Sequence, residues 1–280
     1  MEENIVAVQA KDFTFDGISL TTFNKDYELV SFDTSPSDTS VEFMDNKVEM
    51  SDANYNSPTV HYYYSAAKDT LEFDIMIANR RGEYLTQQEI IDLSSWLTNS
   101  TEPKVLYFTE YANDSDNAVY KNVEYIGVFN KAKYSEMGQS RKMGIGFTFT
   151  CISSYGFTRP FTTRINNSTG GIKTTSIINT GTNTGLYIYP IFEITPMETG
   201  TVYISNLSDT ANGEFGINVT NGEKIIIKEF NVYDSRGDFY SFDKLTSLHF
   251  PRFVDGENLI KINGKCICDI TYRFYMNVGV

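Results

Sequence analysis

A chain of 280 residues is long for one hydrophobic core, so two domains are expected. Its 20 Phe and 19 Tyr, against a single Trp, favour strands over helices. The formal charge of −13 is concentrated early: residues 1–78 hold 15 Asp/Glu against 4 Lys/Arg, whereas residues 79–280 hold 21 against 19. So acidic a segment repels phosphate and excludes a nucleic-acid-gripping surface there.

The opening Met1-Glu2-Glu3 is acidic and no apolar stretch follows it, so no secretory signal is read and synthesis in a cytoplasm is expected. No run approaches the ~18 consecutive apolar residues that a membrane span requires. Alternation begins with Phe13-Thr-Phe15-Asp-Gly17-Ile18 and returns at Val60 to Tyr64. It is cleanest in Leu71, Phe73, Ile75 and Ile77, with polar residues and Met76 between them. The Ser31 to Pro58 stretch between these runs, rich in Ser, Asp, Asn and Pro, reads as a loop with a short strand at Val41 to Met44.

One helix is predicted, at about 86–99. Thr86 and Glu89 have capping-box spacing, Ile90, Leu93 and Leu97 share a face, and Pro103 bars continuation. Trp96 on that helix is expected to pack on the sheet rather than serve as a ligand platform. Strands resume at Val105 to Thr109, Val123 to Lys133 and Gly144 to Cys151. Residues 159 to 172 lose the pattern and read as an interdomain crossover, which places the domains at 1–160 and 161–280. Beyond lie short strands at Ile172 to Asn179, Tyr187 to Ile194 and Val202 to Asn206, a spacing that suggests a sandwich. Asn221-Gly222 and Asn263-Gly264 each separate two alternating runs, and both read as tight type I′ hairpins.

The chemistry of an enzyme is hard to assemble from these residues. His61 and His249 are the only histidines, and each reads as a packed or rim residue. Asp114, Asp116 and Asn117 begin like a calcium loop, but Ala118 and Tyr125 occupy positions where ligands are needed. Asp255 and Glu257 read as turn residues before they read as a glycosidase pair. Cys266 and Cys268 point the same way from one strand but lack the further ligands of a zinc site, and with Cys151 they are expected to be reduced thiols. Neither a catalytic, a cofactor-binding nor a metal site is predicted, and no cofactor is expected. Lys131, Lys133, Arg141 and Lys142 flank one predicted hairpin loop, a basic patch suited to a subunit contact.

An ordered set of residues carries a resemblance. It comprises Phe13-x-Phe15-x-Gly17-Ile18, Arg80-Arg81, Trp96-Leu97, Lys104-Val-Leu-Tyr107-Phe108 and Gly144-x-Gly146-Phe-x-Phe-x-Cys151. In the second half it continues through Asn179-Thr-Gly-Thr182, Tyr189-Pro190-Ile-Phe-Glu-Ile194, Phe250-Pro251 and Gly256-Glu-Asn258. In this order the chain resembles the distal tail protein family of long-tailed (siphophage-type) phages, a baseplate hub component. The resemblance implies a mainly β protein of two β-sandwich domains. The first, with its flanking helix, would form a hexameric ring that continues the tail tube and lets DNA pass. The second would be galectin-like, similar to carbohydrate-binding modules, and project outward. Implied partners are further copies of the chain, the tail-tube protein, a tail-tip hub protein and often receptor-binding proteins, with no specific nucleic-acid binding and no membrane. The implied location is the virion tail tip.

Residues 161–280 hold no Trp, the residue that sugar-binding galectin-like domains usually stack on their ligand. Tyr187, Tyr203 or Tyr240 could substitute, but the second domain is expected to dock protein. The alternative functions are a host-surface (glycan) adhesin or receptor-binding protein, a tail-tube subunit, and, most distantly, a glycan-cleaving enzyme.

Overall fold

The structure, a computed structural model, describes residues 10–30, 46–48, 66–68, 71–111, 123–137, 141–182, 185–228 and 230–276. The chain divides between Gly156 and Phe157 into two units. The strands expected at Val41 to Met44 and Val60 to Tyr64, His61 and the Asp114 to Asn117 stretch lie outside the described residues.

The first unit contains β1 (Ala10–Phe15), β2 (Ile18–Ser19), α1 (Leu20–Phe23), β3 (Tyr27–Leu29), β4 (Asn46–Val48), β5 (Ala66–Lys68) and β6 (Glu72–Asn79). It continues with α2 (Gln87–Thr98), β7 (Lys104–Tyr111), β8 (Val123–Met137) and β9 (Arg141–Cys151). Its main sheet runs in the order β2-β1-β7-β8-β9-β6-β3, and β4 pairs with β5 apart from it. The sheet rolls until β3 lies near β1. Inside the roll, Phe15 and Phe149 meet Phe129 edge-on at 5.0 Å each. Edge-to-face contact suits rings whose faces are negative and whose edges are positive. On the outer face Glu72 and Asp74 accept hydrogen bonds from Thr150 and Thr148 of β9, so the period of two is resolved polar-out.

The predicted helix is present as α2, with its capping box formed. The Glu89 N–H donates to the Thr86 hydroxyl at 3.2 Å, and the Thr86 N–H donates to the Glu89 carboxylate at 2.7 Å. Burial works against the charge on Glu89, but hydrogen bonds from Thr86 and from the Tyr27 hydroxyl outweigh it and hold the carboxyl below its usual range. Tyr27 in turn is pushed up to about 12, first by burial and then by the Glu89 charge. The Glu89 contribution to stability is present above the unfolded carboxyl range and is lost as pH falls through the depressed value. The Tyr27 contribution is present below pH ~10 and is lost as pH rises toward its folded value. Thr86→Ala removes the cap acceptor, with an expected cost of about 1 kcal/mol by denaturant unfolding followed on Trp96. An unchanged midpoint would mean that tertiary packing alone fixes the helix start.

The second unit opens on β10 (Gly156–Thr158), β11 (Phe161–Asn167), β12 (Ile172–Asn179), β13 (Ile191–Pro196), β14 (Gly200–Asn206) and β15 (Phe215–Val219). It closes with β16 (Ile225–Lys228), β17 (Asn231–Asp234), β18 (Leu245–Leu248), β19 (Gly256–Asn263), β20 (Cys266–Tyr272) and β21 (Tyr275–Met276). Two sheets, β11-β20-β13-β16-β17 and β12-β19-β14-β15-β18, face each other across one core that includes Phe192, Ile194, Ile204, Phe215, Ile217, Ile260 and Ile270. This is a β-sandwich, and the protein is mainly β.

Three expectations need correction. Neither Asn-Gly turn closes a hairpin. β15 and β16 lie in opposite sheets, and so do β19 and β20, so both turns are arches that carry the chain across the core. Only the glycines, Gly222 and Gly264, have positive φ, whereas a type I′ turn needs it at both central positions. Alternation cannot separate the two cases, because strands facing each other across a core alternate just as neighbours in a sheet do. Second, residues 159 to 172 are not a patternless crossover: β11 forms an edge strand along β20. Its apolar signal is weak because only Ile165 and Asn167 of the strand are buried. Third, the predicted loop between residues 133 and 144 is largely strand, with Met137 paired to Arg141.

Candidate functional site

No group of metal-binding side chains is found among the described residues. The residues weighed for chemistry have structural partners. Asp255 accepts from the Gly185 N–H at 2.7 Å, and Glu257 accepts from the Ser176 hydroxyl at 2.6 Å. His249 is exposed, with its ring lying over Gly213 where a Cβ would collide with it. Cys151, Cys266 and Cys268 are free and buried. Burial pushes the Cys151 thiol up to about 12 and the Cys266 thiol up to about 11, so both stay protonated and inert near neutrality. Tyr125 is a core residue of β8.

What the chain does present is surface for contact. In the first unit, Trp96 is held between Phe13 and Phe23, nearly parallel to both, at 5.7 and 4.7 Å. Packing on the sheet is therefore its main role. Its Nε1 is nevertheless enclosed without an acceptor. Beside it a groove of about 360 Å³ is lined by Asp16, Ile18, Glu102 and Lys104, among others. Of the basic patch, Lys142 is tied down: its Nζ donates to Gln87 at 2.7 Å, and its carbonyl accepts from Leu85.

In the second unit, an aromatic notch of about 160 Å³ is lined by Tyr189, Phe230, His249, Phe250 and Arg252, with Asn212 and Leu248. Arg252 donates to the buried Asp209 at 2.6 Å and lays its guanidinium 3.5 Å from the Tyr187 ring centre. That covers one face of a tyrosine considered for sugar stacking. Tyr240 is committed as well, its hydroxyl donating to Glu223 at 2.8 Å, and Tyr203 is half-buried on β14. Sequence reasoning missed Tyr189, Phe230 and Arg252 as one cluster. Phe230 stands 4.4 Å from Tyr189 on a backbone with φ of +62°, and nothing in the sequence marks that turn.

The fold and its surface define a two-unit, mainly β protein that presents aromatic and charged patches. Two family models match the chain in succession: one described as a phage tail protein N-terminal domain over residues 8–153, the other as a phage tail C-terminal domain over residues 155–272. The chain belongs to this family of phage tail proteins. Family membership, rather than any gap among the described residues, makes it a structural virion component and not an enzyme.

Among solved structures, the chain is similar to SPP1 Dit, described as a paradigm of hub adsorption apparatus in Gram-positive infecting phages. Identity is 12%, the match covers 94% of this chain and 98% of that one, and the TM-score is 0.59. It is also similar to a chain of the phage P2 baseplate in its activated conformation with Ca, at 12% identity, 93% and 97% coverage and a TM-score of 0.51. At such identity these likenesses speak for the fold. No curated protein matches the chain. No helix among the described residues is long and apolar enough to cross a membrane.

Proposed function

We propose that the protein is the hub at the tip of a siphophage-type tail, made in the cytoplasm of its bacterial host. Six copies form a ring through the first unit, joining the tail tube above to the tail-tip protein below and leaving a bore for DNA. The galectin-like second unit faces outward and docks neighbouring baseplate or receptor-binding proteins. The observation that carries this reading is a shared architecture: both units, in order, follow the SPP1 hub protein over nearly the whole of each chain.

The charge distribution supports it, because an acidic first segment does not grip phosphate. The aromatic notch supports docking, since Tyr, Phe and Arg clusters are enriched where proteins meet. Against a sugar face stand the guanidinium on Tyr187 and the bonded hydroxyl of Tyr240. A saturable glycan-array signal would favour the adhesin reading instead. Negative-stain microscopy of the purified full chain is expected to show six-fold rings of tail width. A monomer that persists at high concentration in light scattering would sink the hub reading.

A further inference from the structure

The chain contains three Asn-Gly pairs, Asn212-Gly213, Asn221-Gly222 and Asn263-Gly264, and the first two share the tripeptide Asn-Gly-Glu. In such a pair the glycine nitrogen can attack the asparagine Cγ, because no Cβ hinders its approach. Whether it does depends on where the fold aims that nitrogen, since reacting atoms need to lie about 3–3.5 Å apart. At two of the pairs the fold aims it elsewhere. The Gly222 N–H donates to the Pro196 carbonyl at 2.8 Å, and the Gly264 N–H donates to the Gly171 carbonyl at 3.2 Å.

Gly213 differs. Its N–H donates to the side chain of Asn212 itself, at 3.1 Å from Oδ1, the oxygen bonded directly to Cγ. The amide is held in that pose, with Nδ2 donating to the Phe250 carbonyl at 2.9 Å. The His249 ring lies on Gly213, so close that its Nε2 would stand 3.0 Å from a Cβ there. An electrophile, a nucleophile and an imidazole are thus gathered where Asn212 and His249 line the aromatic notch.

We propose that Asn212 is a self-modification site, converted by attack of Gly213 on the neighbouring side chain. The Gly213 nitrogen forms a bond to Cγ and gives up its proton. The Cγ–Nδ2 bond breaks, and Nδ2 leaves as ammonia with that proton, so that a cyclic imide joins residues 212 and 213. His249 carries the proton from one nitrogen to the other, proton transfer being the usual work of a well-placed imidazole. Water then adds to the imide and opens it at either carbonyl. The products are aspartate or, where the main chain is rerouted through the side chain, isoaspartate. Nothing is oxidised or reduced. Either product puts a carboxylate where an amide donated to Phe250, in a notch that also contains Arg252. The notch therefore gains a negative charge as the protein ages.

The test ages the purified full chain in neutral buffer and follows amide-to-acid conversion at all three asparagines in one sample, by peptide mapping with mass spectrometry. In the folded chain Asn212 is expected to convert roughly tenfold or more faster than Asn221 or Asn263. In the urea-unfolded chain the two Asn-Gly-Glu sites are expected to convert at the same rate. His249→Gln, its fold checked by far-UV circular dichroism, is expected to slow Asn212 and leave Asn221 as it was.

A folded chain in which Asn221 leads, in which all three convert alike, or in which none converts overturns the proposal. So does a lead of Asn212 that persists after unfolding, because local sequence would then explain it. An unchanged rate at Asn212 in folded His249→Gln overturns the proton-carrying role of the imidazole. The three-site comparison uses the wild-type chain, so it decides the matter whether or not that variant folds.

Discussion

Replacing Asn258 with alanine is expected to destabilise the second unit by about 3–5 kcal/mol, more than a typical surface substitution by an order of magnitude. Asn258 is fully buried. Its Oδ1 accepts from the Val254 N–H at 2.7 Å and from Asn206 Nδ2 at 2.8 Å. Its Nδ2 donates to the carbonyls of Val254 and Gly256 at 3.0 and 3.1 Å. Alanine would remove the acceptor of both the buried Asn206 amide and the half-buried Val254 N–H, and the penalty for buried, unpaired amides is what makes the effect large.

The consequence reaches the surface. The segment that Asn258 holds follows directly on Arg252, whose carbonyl accepts from Asn206 at 2.8 Å. The aromatic notch therefore leans on this buried amide network. Because the only tryptophan lies in the first unit, far-UV circular dichroism is the readout. A loss under 1 kcal/mol would show that the network is not what fixes this corner.

How much of this was legible in the sequence depends on which force decided each element. α2 was legible to within a residue or two because a local device, the Thr86–Glu89 box, coincides with a helical apolar face at Ile90, Leu93 and Leu97. β6 was legible because its alternation reflects one buried face, and β9 because Ile145, Phe147 and Phe149 alternate with glycines and Thr148 even though the strand is buried throughout 144–149. β11 was not, since an edge strand buries little and Thr162, Thr163 and Arg164 satisfy themselves across to β20 with hydrogen bonds and an ion pair.

The Asn-Gly turns were visible as chain reversals, but their partners were set by the sandwich, which only tertiary packing determines. Asn167 shows the reason. It donates to Gly171 and Gly264 at 2.9 and 2.8 Å, tying together two turns that both cross between sheets. Conversely, the true two-residue turn between β16 and β17 carries Phe230 in the left-handed region, a conformation costing about 1–2 kcal/mol that no turn dipeptide announces. The groove beside Trp96 is assembled from β1, β2, α2 and β7, and no single stretch of sequence contains it.

Gly127→Ala should be at least as damaging to the first unit, at roughly 3 kcal/mol or more. Gly127 sits where β8 passes from its pairing with β7 to its long pairing with β9, opposite both Lys104 and Cys151. A Cβ there would lie 2.2 Å from the Thr150 carbonyl oxygen, 2.9 Å from the Cys151 Cα and 2.9 Å from the Phe149 ring. Two of those neighbours are backbone of the adjacent strand and the third is a fully buried aromatic, so none can swing aside as an exposed side chain would.

Relief requires β8 and β9 to separate there, and with them the edge-on pair Phe129 and Phe149. Trp96 fluorescence reports this unit, so the unfolding midpoint on that signal is expected to fall sharply. A variant with the wild-type midpoint would mean the strands yield at little cost.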